Sequence, residues 1–140
     1  MTNNESSFVK EKSYNGLKKE ERLYSLKQIE SLFNEGGSHS LSAFPLRVVY
    51  RKVSREEESP AVQMLISVPK KFLHRAVKRN LVKRQVREAY RKNKHIIKQK
   101  PGHPVEGVDM AFIWQSDKLY DSKSVEKRVV NLLERINESL

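Results

Sequence analysis

Cysteine does not occur in this chain of 140 residues, and its absence removes disulfides, thiol nucleophiles and cysteine-ligated zinc together. It fits a reducing compartment. Long apolar runs are missing too. No stretch approaches the roughly 18 residues that a membrane span requires, and the opening MTNNESSFVK lacks the charged-then-apolar layout of a secretory signal. The expectation is a soluble, cytoplasmic protein without a membrane partner. Nor do titratable residues gather for catalysis. His39, His74, His95 and His103 show no ligand spacing, and Asp109 stands alone in an apolar stretch, which is no constellation for holding a metal or moving protons. Neither an internal repeat nor a low-complexity tract is present.

Acid is scarce in one place above all. From Lys70 to Lys100 there are thirteen Lys or Arg and one acid, Glu88, whereas the rest of the chain carries fifteen basic and sixteen acidic residues. The net charge of +11 is therefore concentrated in a single segment on a nearly neutral body. Such a distribution suits a surface that binds a polyanion.

The length allows about one domain, read here as residues 17–140 behind a polar, aperiodic tail, residues 1–16, expected to be disordered. A short helix is expected between Ser25, which with Gln28 has capping-box spacing, and the stop at Gly36-Gly37; its apolar stripe is Leu26, Ile29, Leu32 and Phe33. AFPLRVVYRK alternates, with Phe44, Leu46, Val48 and Tyr50 on one side and Arg47, Val49 and Arg51 on the other. AVQMLISV alternates likewise through Val62, Met64, Ile66 and Val68, and VSREEESP between these strands reads as a solvated hairpin loop. After KPGHPVEG breaks the chain, VDMAFIWQ is apolar enough to be an internal strand. The closing segment sets Val125, Val129, Leu132, Leu133 and Ile136 at helical spacing. This order describes a small α+β domain, a two-layer α/β sandwich.

On a helical wheel Val82, Val86, Ala89, Tyr90 and Ile97 fall on one side of the basic segment. Asn80, Lys83, Arg84, Arg87, Arg91, Lys94 and Lys98 fall within an arc of about 100°, with Leu81 and Glu88 off it. Solvated helix faces usually mix signs, because like charges at i,i+4 cost a few tenths of a kcal/mol each. A face made of cations, Arg at its centre, makes sense where phosphates neutralise it. Guanidinium forks can bridge phosphate oxygens, and nothing in the arc reads a base sequence. Membrane binding is disfavoured, since the opposite face is needed for the core.

These residues resemble the protein subunit of bacterial ribonuclease P, whose signature helix reads approximately A-V-x-R-N-R-[IV]-K-R-x-x-R-E. Here the run is Ala76, Val77, Lys78, Arg79, Asn80, Leu81, Val82, Lys83, Arg84, Gln85, Val86, Arg87, Glu88, departing at Leu81, where the family has a second arginine. Upstream, Ser67-Val68-Pro69-Lys70-Lys71 stands where the family often has S-V-S-K-K. The resemblance spans roughly residues 17–138 and includes LKKEERLYSLKQIESLFNEGG as the opening strand and helix. It implies one mixed sheet with helices, similar to a domain of a small-subunit ribosomal protein, and a left-handed crossover through the basic helix. It also implies a monomer in a 1:1 complex with the catalytic RNA subunit, which cleaves the 5′ leader from precursor tRNA using magnesium held mainly by that RNA and none by the protein alone. Arg79, Asn80, Lys83, Arg84 and Arg87 would contact the RNA subunit, with Lys70, Lys71, Arg91 and Lys94 extending that surface. A cleft between the first helix and the sheet would take the leader. Of its usual aromatics Phe33 remains, while Ile29 and Arg47 occupy two places where the family has others, with Val49 beside them.

Two other readings use the same helix. A DNA-binding helix-turn-helix requires a preceding helix where VQMLISV reads as a strand. A ribosomal-protein-like or RNA-chaperone module would share the basic helix but need no leader cleft.

Overall fold

The structure, a computed structural model, describes residues 26–34, 36–54, 62–97 and 106–140. The tail, the Ser25 capping box, the opening strand, Lys98 and most of the acidic segment 53–60 lie outside the described residues. The elements run α1 (Leu26–Asn34), β1 (His39–Ala43), β2 (Leu46–Ser54), β3 (Val62–Ser67), α2 (Ala76–Asn93), a 3-10 turn (Lys94–Ile96), β4 (Glu106–Trp114) and α3 (Ser122–Ser139). One mixed four-stranded sheet has the order β1-β2-β4-β3. β2 is antiparallel to β1 and to β4, while β3 and β4 are parallel neighbours joined through α2. The expected α+β class and the placement of the crossover are both found.

β4 is internal because it is apolar on both sides. Met110, Phe112 and Trp114 are buried on one face and Ala111 on the other. The first face packs with Leu46, Val48 and Met64 against Val82, Val86, Ala89 and Tyr90 of α2 and against the five predicted apolar residues of α3. The second face carries a smaller core, in which Leu32 of α1 sits on Val49 and Ala111, with Ile29, Leu65 and Ile113 around them. Val48 and Val49 are consecutive in a strand, so these two cores lie on opposite sides of the sheet. The thick helical layer is α2 and α3, and α1 is a partial cover on the other face.

Three local expectations are corrected. The acidic segment between β2 and β3 is not a hairpin loop, because β4 lies between those two strands in the sheet; β1 is an added strand, built from HSLSA with one large apolar residue, Leu41. Phe44 does not share the buried side of Leu46; it sits in the β1–β2 turn, 63% exposed. Ile97 is not part of α2, which ends at Asn93. There the Asn93 side chain donates to its own helix at Ala89 O (2.8 Å) and to Glu126 of α3 (2.9 Å), a local bond that competes with helix continuation. The stop after α1 is as expected, with Gly37 at φ +93° where a side chain would be strained.

α3 begins at Asp121, whose carboxylate accepts from the Ser124 backbone N–H at 2.7 Å. That bond is the main reason its pKa lies below the usual 3.8. A lowered folded pKa means the cap's stabilisation is complete above the unfolded value and is lost as pH falls through the folded one. Asp121→Asn keeps an acceptor but removes the titration. Melting temperatures of this variant should therefore lose less than wild type between about pH 5 and pH 3. Identical acid profiles would deny the cap that contribution.

Candidate nucleic-acid interface

α2 separates its residues as its sequence dictates. Val82 and Val86 are fully buried and Ala89 and Tyr90 nearly so, which fixes the rotation of the helix against the sheet. The opposite side must then face solvent. Asn80, Arg84 and Arg87 are exposed and Lys83 is half-buried. Neither Arg84 nor Arg87 has a hydrogen-bond or carboxylate partner among the described residues. Lys70 and Lys71 stand exposed in the turn before the helix, the Lys71 ammonium 5.1 Å from the centre of the Phe72 ring. Arg75 and Lys78, absent from the expected site, are also exposed beside them. Their signal was the charge count alone, since both lie off the wheel's arc.

Arg91 of the arc and Arg79, which lies off it, are already engaged. Arg91 makes a two-pronged pair with Glu88 one turn back, through Nε at 3.1 Å and through Nη2. The hydrogen bond from Arg91 holds the Glu88 carboxyl below its usual range, and the same bond raises the Arg91 guanidinium. Glu88 lies off the arc, but its side chain reaches the arc's edge and neutralises it there. Arg79 is turned back, donating to Leu73 O (3.0 Å) and His74 O (2.6 Å). It thereby ties the preceding loop to the first turn of α2 and is itself half-buried. Lys94 follows the helix in the 3-10 turn and is half-buried.

The four residues assigned to a leader cleft lie on α1 or on the sheet face that it partly covers, across the sheet from α2. Phe33 is 45% exposed, so it is not a core aromatic. Ile29 is half-buried at the edge of the small core. Val49 lies beneath Leu32 and contributes packing. Arg47 is half-buried on β2 and donates from Nε to Ser40 Oγ of β1 at 2.8 Å. The two candidate surfaces are thus separated by the thickness of the sheet. Among the described residues no three His, Asp or Glu side chains gather where a metal ion could be held, and no helix is long and apolar enough to cross a membrane.

Comparison with known proteins accords with this geometry. The family model described as Ribonuclease P matches residues 17–137. The ribonuclease P protein component of Porphyromonas gingivalis is 45% identical over 121 residues, covering 86% of each chain. That of Chlorobium phaeobacteroides is 42% identical over 82 residues, 57% of this chain and 55% of the relative. Among solved structures, the RNase P protein of Thermotoga maritima superposes with a TM-score of 0.62 at 29% identity, covering 82% of this chain and 96% of that one. The Staphylococcus aureus RNase P protein shares the fold, with a TM-score of 0.63 at 21% identity over 83% of this chain and 94% of its own. A match over nearly the whole chain, in sequence and in fold, places this protein in the family of bacterial ribonuclease P protein subunits.

Proposed function

We propose that this protein is the protein component of a ribonuclease P holoenzyme, binding the catalytic RNA subunit through the outer face of α2 and the 5′ leader of precursor tRNA beside α1. The observation that carries the proposal is the pairing of an unneutralised cationic ridge, Arg84 and Arg87 with Asn80, with a solvent-open aromatic, Phe33, on the other side of the sheet. Phosphates on the ridge relieve the repulsion between its like charges, and release of their counterions drives association. Lys70, Lys71 and Lys83 extend the ridge, while Arg79, Arg91 and Lys94 contribute less because protein groups already hold them or burial limits them. The RNA subunit performs the cleavage and holds the magnesium; the protein supplies affinity and position in a 1:1 complex in the cytoplasm. Leader and RNA subunit can be engaged together because they do not compete for one face.

Purified protein alone should leave precursor tRNA intact and should restore correctly placed cleavage by the RNA subunit at low magnesium. Accurate cleavage by RNA-free protein would overturn the division of labour. A second test isolates the leader. Phe33→Ala should weaken precursor binding to the assembled holoenzyme by about 1–3 kcal/mol, the worth of one base stacked on an aromatic, and should spare mature tRNA and assembly. Equal weakening of precursor and mature tRNA would remove Phe33 from the leader site.

A further inference from the structure

Two arginines project from β2 onto the face that α1 partly covers, and their settings differ. Arg51 pairs in register with the buried Asp109 of β4 and donates to the Ser31 carbonyl of α1 (3.3 Å), so it serves the packing of that helix. Arg47 lies in the row Ser42, Arg47, Ile113, Ser67 across the sheet, and the next row is Ser40, Val49, Ala111, Leu65. Neither row contains an acid. Asp109 is four residues further along, roughly 13 Å away at strand spacing, beyond a Debye length at physiological salt. Arg47 has no carboxylate partner among the described residues. Its one bond there is from Nε to Ser40 Oγ, at 2.8 Å.

We infer that Ser40 is a positioning residue, which holds the Arg47 guanidinium by its Nε so that the two Nη groups form a fork for a backbone phosphate of the single-stranded leader. The inference rests on the leader-groove reading above. A guanidinium with Nε engaged still offers its two terminal amino groups, which match two phosphate oxygens. Half-buried and without a carboxylate partner among the described residues, this cation favours an anion over other ligands. Ser40 itself is on a fixed strand. From the other side of the sheet α3 anchors β1 at the Ser42 carbonyl through Arg135 Nη1 (2.9 Å) and the turn that follows it at the Phe44 carbonyl through Arg128 Nε (3.2 Å).

The test uses reconstituted holoenzyme with precursor tRNA, mature tRNA, and precursors carrying single neutral methylphosphonate linkages in the leader. Arg47→Ala should weaken precursor binding without affecting mature tRNA, and should lower the log–log salt slope for precursor by about 0.7, the value for one single-strand phosphate. Ser40→Ala should weaken precursor binding roughly three- to tenfold, Ser40→Thr should restore it, and Ser40→Ala should add nothing to Arg47→Ala. One methylphosphonate position should erase the difference between wild type and Arg47→Ala. If Ser40→Ala binds like wild type while Arg47→Ala does not, Ser40 does not position the arginine. If Arg47→Ala is silent while Phe33→Ala weakens precursor binding, the groove stands and the phosphate fork is wrong. If both are silent, the groove itself is wrong.

Discussion

Replacing Arg84 and Arg87 together with alanine should flatten the salt dependence of RNA-subunit binding by roughly one to two units of log–log slope. At physiological salt this corresponds to a loss of tenfold or more in affinity. Both side chains are exposed and neither has a partner in the described protein, so the fold should be unaffected and the like-charge strain in the helix relieved. Arg91→Ala is the informative contrast. Its charge is already offset by Glu88, and removing it frees a carboxylate beside the ridge. Arg91→Ala should therefore weaken binding through repulsion from Glu88, an effect that Glu88→Gln should cancel. A folded double variant of Arg84 and Arg87 with an unchanged slope would put the RNA on another surface.

Phe112→Ala should destabilise the protein by about 3–5 kcal/mol, a large part of the 5–15 kcal/mol typical of a whole domain. Phe112 is fully buried at the centre of β4, between β2 and β3. Its ring meets that of Tyr90, the aromatic among the buried residues of α2, at 6.3 Å between centroids. The hole would open between the sheet and the helix that carries the cations, where rigid strands on both sides limit collapse. Thermal unfolding should move down by about 10–20 °C. A shift of a few degrees would show that the interface between α2 and β4 can close around the cavity.

Much of this structure follows from periodicity, since a buried stripe leaves little choice of rotation. Val82, Val86, Ala89 and Tyr90 fix the exposed arc of α2, and Met110, Phe112 and Trp114 alternating with Ala111 mark β4 as internal. What periodicity misses has a different cause. β1 exists because β2 offers it an edge and because Arg135 bonds its Ser42 carbonyl and Arg128 the Phe44 carbonyl of the turn after it, none of which is written in HSLSA itself. Phe44 fits an alternating pattern by spacing, yet the chain turns at Phe44 and Pro45 before the strand begins. For the site, a wheel counts charges but does not follow long side chains to their ends. Arg79 folds back onto the loop carbonyls, and Glu88 reaches Arg91 from outside the arc. The Ser40–Arg47 bond needs the register of β1 on β2, which only the assembled sheet supplies.

The connection between the parallel neighbours β3 and β4 runs through α2, so the element proposed to bind RNA is also the closure of the sheet. Among the described residues β3 is an edge strand with one partner, and segments held on fewer sides open locally more readily than the core. An opening that lifts α2 away would first have to detach any RNA held on its outer face. With RNA at a hundred times its dissociation constant, that detachment adds about 2.7 kcal/mol to the free energy of such an opening. Fluctuations that leave α2 seated, such as lifting of α1 from the opposite face, gain no such protection. Bound RNA would therefore slow hydrogen exchange in β3 and α2 while leaving α1 free to move, so that the half of the domain beside the leader stays adaptable while the other half is locked.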